Sequence, residues 1–108
     1  MNPIVIGMYK EIGGDGYPPI RELLSEAPIE GKVIVSRYLK EQPDVAASPG
    51  FMKDEITNER IPGTLLMYSD GVYAWRSEVV FYFDEYNLRL PEEFINHVFE
   101  QEGRKKSA

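Results

Sequence analysis

A chain of 108 residues is predicted to form one domain, long enough to bury a hydrophobic core without covalent cross-links. It contains no cysteine, which excludes disulfides and thiolate metal sites and fits a reducing compartment. The start, Met1 to Ile6, lacks a basic segment followed by a long apolar run, and no window approaches the roughly 18 apolar residues of a membrane span. We therefore expect a cytoplasmic protein with no cleaved signal and no membrane partner.

The charge is strongly asymmetric along the chain. The formal charge is −6, from 18 acidic and 12 basic residues, but three of the basic residues lie beyond Gly103. Residues 1–103, predicted as a single globular α+β domain, therefore carry nine net negative charges, and residues 104–108 are predicted as a flexible basic tail. An acidic body repels nucleic acid and favours a cationic partner. Solubility alone is the alternative explanation of the charge.

The first half of the chain predicts short elements. Residues 4–9 favour a strand, and the glycine cluster at 13–16 favours a turn, because it lacks the spacing of a phosphate or dinucleotide loop. Pro18-Pro19 is expected to open a short helix from Ile20 to Glu26. Residues 28–42 contain β-branched residues, but their apolar residues also share a helical stripe, and we predict a helix that ends before Pro43.

A four-stranded antiparallel meander packed with three to four helices is the predicted architecture. Val45 to Ser48 and Phe51 to Thr57 read as strands joined at Pro49-Gly50, and residues 58–63 as a loop leading to a hairpin. Short connections between successive strands favour this arrangement, with one face under helices.

The hairpin is the strongest structural prediction. Asp70-Gly71 lies between two runs of strand-forming residues and favours a two-residue type I′ turn. That register pairs Ser69 with Val72, Tyr68 with Tyr73, Met67 with Ala74 and Leu66 with Trp75. Leu66, Tyr68, Tyr73 and Trp75 then share one face of the hairpin.

Two helices are predicted after the hairpin. Ser77 is a suitable N-cap for the first, and Asn87 ends it. Pro91 starts the second, which is expected to stop near Gly103. Trp75 is predicted to lie in the core, across from Leu66 and covered by the helix that follows Ser77, because burial removes a large apolar area from water.

Known catalytic and metal-binding motifs are absent from the sequence. The only histidine, His97, lies at the border of an apolar helical stripe, no serine stands in a G-x-S-x-G motif, and no H-E-x-x-H motif is present. Adjacent carboxylates such as Asp84 and Glu85 point in different directions and do not form a dyad by themselves. We therefore predict no catalytic residue, no metal and no cofactor.

A family resemblance supplies the functional expectation. The Asp70-Gly71 hairpin ending in Trp75, the segments Ser77 to Leu88 and Leu90 to Phe94, and Ala46 to Gly50 together resemble a group of small bacterial proteins. That group shares Tyr/Thr-Asp-Gly, aromatic-x-Trp, a tyrosine-rich helix and Leu-Pro-x-x-Phe. Such proteins are similar to immunity proteins of polymorphic toxin and contact-dependent growth inhibition systems. The resemblance extends over residues 29–99.

The resemblance implies a non-enzymatic inhibitor that binds a cognate protein toxin, such as a nuclease, and it carries over no catalytic residues. The acidic residues expected to bind the toxin are Asp54, Glu55, Glu59, Asp84 and Glu85. The alternative function is a small ligand-binding or enzymatic domain. Its pocket would be lined by Tyr68, Tyr73, Trp75 and His97.

Overall fold

The computed structural model describes the backbone of residues 2–107 and the side chains of residues 2–103. Within that range the chain forms an α+β fold, as predicted, with six strands and five helices. The strands are β1 (Ile4–Val5), β2 (Asp44–Ser48), β3 (Met52–Lys53), β4 (Arg60–Ile61), β5 (Leu65–Ser69) and β6 (Tyr73–Arg76). The helices are α1 (Lys10–Gly13), α2 (Ile20–Leu23), α3 (Lys32–Glu41), α4 (Ser77–Tyr86) and α5 (Glu92–Ser107).

The strands do not form the predicted meander. The four-stranded sheet has the order β1-β6-β5-β2, and β3 pairs with β4 in a separate two-stranded sheet. β2 therefore pairs with β5 and not with β3, so the hairpin predicted at Pro49-Gly50 is wrong. β1 adds a parallel edge strand through hydrogen bonds from the backbone N–H groups of Ile4 and Ile6 to Val72 and Ala74. Sequence order could not reveal these pairings, because they join segments that are distant along the chain.

The hairpin exists, but its turn is displaced by one residue. Tyr68 pairs with Trp75 and Ser69 with Ala74, where the sequence predicted Tyr73 and Val72 as partners. The cause is the Asp70 carboxylate, whose Oδ1 accepts hydrogen bonds from the backbone N–H groups of Val72 and Tyr73. Only Gly71 of the turn has a positive φ, +95°, so the type I′ geometry is excluded. Each residue of β5 therefore pairs with a residue two positions farther along β6 than predicted. Because side chains alternate along a strand, a shift of two positions leaves Leu66, Tyr68, Tyr73 and Trp75 on one face, as predicted.

β2 leaves an open sheet edge. Ala47 pairs with Leu66, whose backbone N–H donates to Ser77 Oγ on the β6 side of the sheet. Ser69 N–H instead donates to Pro43 O on the β2 side. Because backbone groups alternate in direction along an antiparallel strand, the N–H and C=O of Ala47 point away from β5. Those of its neighbour Ala46, paired with Met67, point into the ladder.

The helical predictions differ from the structure mainly at their ends. α3 is a helix, as chosen over a strand, but α2 ends at Leu23 and not at Glu26. Ser77 is the first residue of α4 and not its N-cap, and its hydroxyl accepts from Leu66 N–H. Asn87 ends α4 in a left-handed conformation, as predicted. α5 continues past Gly103 to Ser107, so the predicted end is wrong.

Trp75 lies in the core of the domain, in contact with two helices. Its side chain is fully buried, which confirms the core prediction. Its ring packs against Tyr38 of α3 and Phe94 of α5, and its Nε1 donates to Leu39 O at 3.2 Å. The ring contacts of Trp75 thus come from α3 and α5, which the sequence did not predict, and Val79, Tyr82 and Phe83 of α4 belong to the same buried cluster. No described helix is long and apolar enough to cross a membrane.

Candidate functional site

A polar cluster of three side chains joins the hairpin turn to two helices. Asp70 is supplied by the turn, Tyr38 by the second helical turn of α3, and His97 by α5. Asp70 Oδ2 lies 2.5 Å from the Tyr38 hydroxyl and 2.9 Å from His97 Nε2. Because Oδ1 is already held by two backbone N–H groups, the carboxylate has one fixed orientation. The turn that sets the hairpin register thus also positions the cluster.

Burial and hydrogen bonding act in opposite directions on Asp70. Only 4% of its side chain is exposed, and burial alone would raise its pKa. Hydrogen bonds from Tyr38, the backbone N–H groups of Tyr73 and Val72, and His97 outweigh burial and lower the pKa below its usual range. Burial and the bond to Asp70 raise the pKa of Tyr38. Near neutral pH the cluster therefore contains a carboxylate and a neutral phenol.

The protonation pattern of His97 follows from these partners. An ionised carboxylate has no proton to donate, so the proton in the Asp70–His97 bond belongs to Nε2. In a neutral imidazole the other nitrogen, Nδ1, then carries the lone pair. No hydrogen bond to Nδ1 is found among the described residues, whereas His97 also makes edge contacts with the rings of Tyr38 and Tyr73.

A cavity of about 290 Å³ opens beside this cluster. It is lined by Tyr38, Glu41, Gln42, Asp70, Val72, His97 and Gln101. Among the described residues the lining has two carboxylates, two amides, an imidazole and a phenol, and no lysine or arginine. Its volume is close to the lower end of the range that is usual for small-ligand sites, roughly 300 to 1,000 Å³. This cavity is suited to a small ligand that donates hydrogen bonds.

The arrangement contains an oriented imidazole, and among the described residues no serine or threonine hydroxyl is hydrogen-bonded to it. Ser69 is the nearest hydroxyl along the chain, and its Oγ donates to Tyr73 O while accepting from Gly71 N–H. Among the described residues no three histidine, cysteine or carboxylate side chains form a group that could hold a metal ion. Binding, and the orientation of a proton acceptor, are what this geometry can provide chemically.

The aromatic pocket proposed as the alternative site is not assembled around one cavity. Trp75 is fully buried in the core. Tyr73 lines a cavity with Ile4 and Pro91, and Tyr68 lines another with Met52 and Val80, whereas His97 faces the cavity beside Asp70. Tyr73 and His97 are nevertheless neighbours, with ring centroids 5.1 Å apart.

The five acidic residues predicted to bind a partner have different environments. Asp54 is only 4% exposed, so its assignment to an exposed surface is wrong. Its carboxylate accepts bonds from Tyr86 OH and from Ile56 N–H, which hold the loop after β3. Burial opposes ionisation, but these bonds lower the pKa of Asp54 and the bond to Asp54 raises the pKa of Tyr86 to about 12. Asp54 therefore has a structural role.

Asp84 is also engaged within the chain. Its carboxylate accepts from Ser36 and pairs with Lys40 at 2.7 Å, both on α3. Lys32 Nζ donates to the backbone oxygen of Asp84 and to the side-chain oxygen of Asn87. These contacts line an open groove of about 590 Å³ between α3 and α4. Glu55 is half-buried and pairs with Lys53 at 3.6 Å, whereas Glu59 and Glu85 are exposed.

Three segments that are separate in sequence meet beside Tyr86. The loop 54–59 is bonded to it through Asp54, and Ser25 N–H donates to its backbone oxygen. Arg21 of α2 also donates to Ile56 O in the loop. These bonds place the segments that carry Glu22, Glu26, Glu55, Glu59 and Glu85 next to one another, and these five glutamates are defined here as the acidic surface. Two arginines lie among the same segments, since Arg89 donates to the backbone oxygen of Glu22 and Arg21 to that of Ile56. Four of its members, Glu22, Glu26, Glu59 and Glu85, are exposed and form no ion pair with any described residue.

Sequence reasoning missed Asp70 and Tyr38 as site residues. Asp70 was interpreted only as a turn residue, although a side chain that can bond two backbone N–H groups has a second oxygen available. Tyr38 was interpreted only as part of an apolar helical stripe, but it lies four residues before Gln42 at the end of the helix, close to the turn in space. No signal in a single sequence pairs these residues, because they are 32 positions apart.

No family model, curated protein or solved structure matches this chain in the comparisons made with known proteins.

Proposed function

We propose that the protein is a non-enzymatic inhibitor of the immunity class, which binds and neutralises a cognate bacterial toxin in the cytoplasm. The observation that carries the proposal is the acidic surface beside Tyr86. Its four exposed carboxylates form no ion pair with described residues, so their charge is available to a cationic partner. The resemblance of residues 29–99 to immunity proteins agrees with this role.

The loop that carries Glu55 and Glu59 is held in place by hydrogen bonds, which favours binding by the acidic surface. Tyr86 OH lies 2.6 Å from Asp54, Glu55 N–H donates to Tyr82 OH at 2.8 Å, and Asn58 N–H donates to Asp54 O at 2.7 Å. A loop held by these bonds loses little conformational freedom when a partner binds. The buried Asp54 therefore contributes by positioning Glu55 and Glu59, and not by contacting the partner.

Charge complementarity predicts how association would behave. Like-signed carboxylates on one surface raise the rate at which an oppositely charged protein docks, and salt screens this attraction. We expect the association rate constant with the toxin to fall steeply as ionic strength rises, and the dissociation rate constant to change less.

The test begins with the protein encoded directly upstream, which is the first candidate toxin. Co-purification of the two proteins and rescue of growth in cells that express the toxin are the expected results. Failure of the chain to bind or protect against any toxin encoded nearby would contradict the proposed function.

A charge-reversal variant then tests the surface. Glu59→Lys combined with Glu85→Lys should slow association by about tenfold or more at low salt, because it reverses two of the unpaired charges. Asp44→Lys is the matched control: Asp44 is an exposed acid on β2, outside the three segments that form the acidic surface. Equal association rates for the double variant and the unmodified chain would refute this surface as the binding site.

A further inference from the structure

We propose that the cavity beside the hairpin turn is a binding site for an organic cation, a ligand with an ammonium or guanidinium group. The site is distinct from the acidic surface beside Tyr86, and it lies between α3, the turn of the hairpin and α5. It is lined by the seven residues around Asp70 and His97 and has a volume of about 290 Å³.

The direction of the hydrogen bonds around His97 favours a ligand that donates. His97 Nε2 is committed as a donor to Asp70, so Nδ1 is an acceptor in the neutral ring. It has no partner among the described residues and is not one of the fully buried atoms that lack one, so it is accessible. An accessible acceptor that a buried carboxylate orients, on a side chain that lines the cavity, can receive a hydrogen bond from a ligand that donates.

The charge of the lining also favours a cation. Among the described lining residues, apart from His97, the charged ones are Asp70 and Glu41, and both are carboxylates. Asp70 already accepts four hydrogen bonds, so a bound cation would not contact its carboxylate directly. The negative charge of Asp70 would attract the cation electrostatically, and His97, which Asp70 orients, would accept its hydrogen bond. Glu41 lies at the exposed end of α3, with Arg37 3.9 Å away, and supplies charge at the rim.

The remaining lining residues are two amides and one apolar side chain. The side-chain oxygens of Gln42 and Gln101 are acceptors for a multivalent donor. Val72 is half exposed and offers an apolar contact for the methylene groups that an alkyl ammonium or alkylguanidinium carries. The cavity thus combines acceptors, negative field and one apolar patch, which together match an organic cation and not an anion or a metal ion.

The test uses the imidazole of His97 as the reporter, since it is the chain's only histidine. The ¹H–¹⁵N spectrum of the neutral ring should place its proton on Nε2. Titration with ethylguanidinium should shift the His97 signals to saturation, whereas ethylurea, which has nearly the same shape without charge, and the anion butyrate should not. A proton on Nδ1, or saturation by ethylurea or butyrate to the same extent, would overturn the proposal.

Two variants separate binding from folding. In Asp70→Asn the backbone N–H groups of Val72 and Tyr73 require an acceptor at the Oδ1 position, so the amide oxygen should lie there. The NH₂ group then faces His97. The proton of the ring should then move to Nδ1, and ethylguanidinium binding should be lost. Retention of both the Nε2 proton and ethylguanidinium binding in this variant would contradict the mechanism.

Glu41→Gln leaves the cluster intact and should weaken ethylguanidinium binding by about two- to fivefold, the range of an exposed ion pair. Glu93→Gln on α5, which lines a different cavity, is the control and should bind as the unmodified chain does. Equal affinities of the Glu41 and Glu93 variants would refute the assignment of Glu41 to the site.

The cation can come from a free small molecule or from a lysine or arginine of a bound protein. Repeating the titration on a toxin-bound sample distinguishes the sources, because a seated side chain would block ethylguanidinium and an empty cavity would still accept it. The titration of the isolated chain does not involve the toxin, so its failure would leave the proposed inhibitor function untouched.

Discussion

Replacing Trp75 by alanine tests whether this residue is a core anchor or a partner anchor. The indole is fully buried, contacts the rings of Tyr38 and Phe94 at centroid distances of 6.2 and 5.4 Å, and donates to Leu39 O. Removing a buried aromatic side chain of this size costs about 3 to 5 kcal/mol, through lost transfer free energy and the cavity left behind. A domain of this length has a free energy of unfolding of roughly 5 to 15 kcal/mol.

The loss is large enough to measure directly. Urea unfolding followed by far-ultraviolet circular dichroism is the suitable assay, because the variant removes the chain's only tryptophan and hence its fluorescence signal. Trp75→Phe keeps most of the ring contact area but removes the Nε1 donor, so it should cost less than the alanine variant.

Val72→Ala is the control for the Trp75 experiment. Val72 is half exposed beside the same turn, and its substitution should change the free energy of unfolding by about 0.5 kcal/mol or less. If Trp75→Ala left the unfolding midpoint unchanged but abolished toxin binding, Trp75 would be an interface anchor and the core assignment would be refuted.

Two further predictions follow from the turn and the sheet edge. The pKa of Asp70 is lower in the folded chain than in the unfolded chain, so its stabilisation is present above about pH 3.9 and is lost as the pH falls through the folded value. Asp70→Asn should therefore flatten the acid side of the stability profile measured by urea unfolding, and an unchanged slope would contradict the role of Asp70. Ala46→Pro should destabilise the chain by about 1 to 3 kcal/mol, because it removes a ladder hydrogen bond and leaves a carbonyl oxygen of β5 without its partner. Ala47→Pro, whose missing N–H would point outward, should cost clearly less, and equal losses in thermal unfolding would refute the assignment of the open edge.

Local chemistry made part of the fold predictable. The helix over Lys32–Glu41, the end of α4 at Asn87 and the burial of Trp75 all follow from residues close together in sequence. The position of the hairpin also follows from Asp70-Gly71, but its register does not. A side chain that bonds two backbone N–H groups competes with the standard two-residue turn, and that competition depends on the folded geometry.

The candidate site was predictable only in pieces. Glu59 and Glu85 are exposed as surface acids should be, but Asp54 is buried because Tyr86 and the loop backbone satisfy its carboxylate. His97 was recognised as the only histidine, yet its partners Asp70 and Tyr38 lie 27 and 59 positions away. A periodic pattern shows which face of a helix is apolar, but it does not show which polar group on another element meets the edge of that face.

By itself, the sequence determined the α+β class, the acidic body and the main helices, because composition and short-range periodicity govern each of them. Only the tertiary structure decided that β2 joins β5, that α3 and α5 cover Trp75, and that Asp70 holds both Tyr38 and His97. Such contacts depend on which distant segments satisfy one another's backbone and buried polar groups. Each buried hydrogen-bonding group left without a partner would cost about 1 to 3 kcal/mol. The pairing of distant segments therefore depends on the packing of the whole chain and not on any one segment.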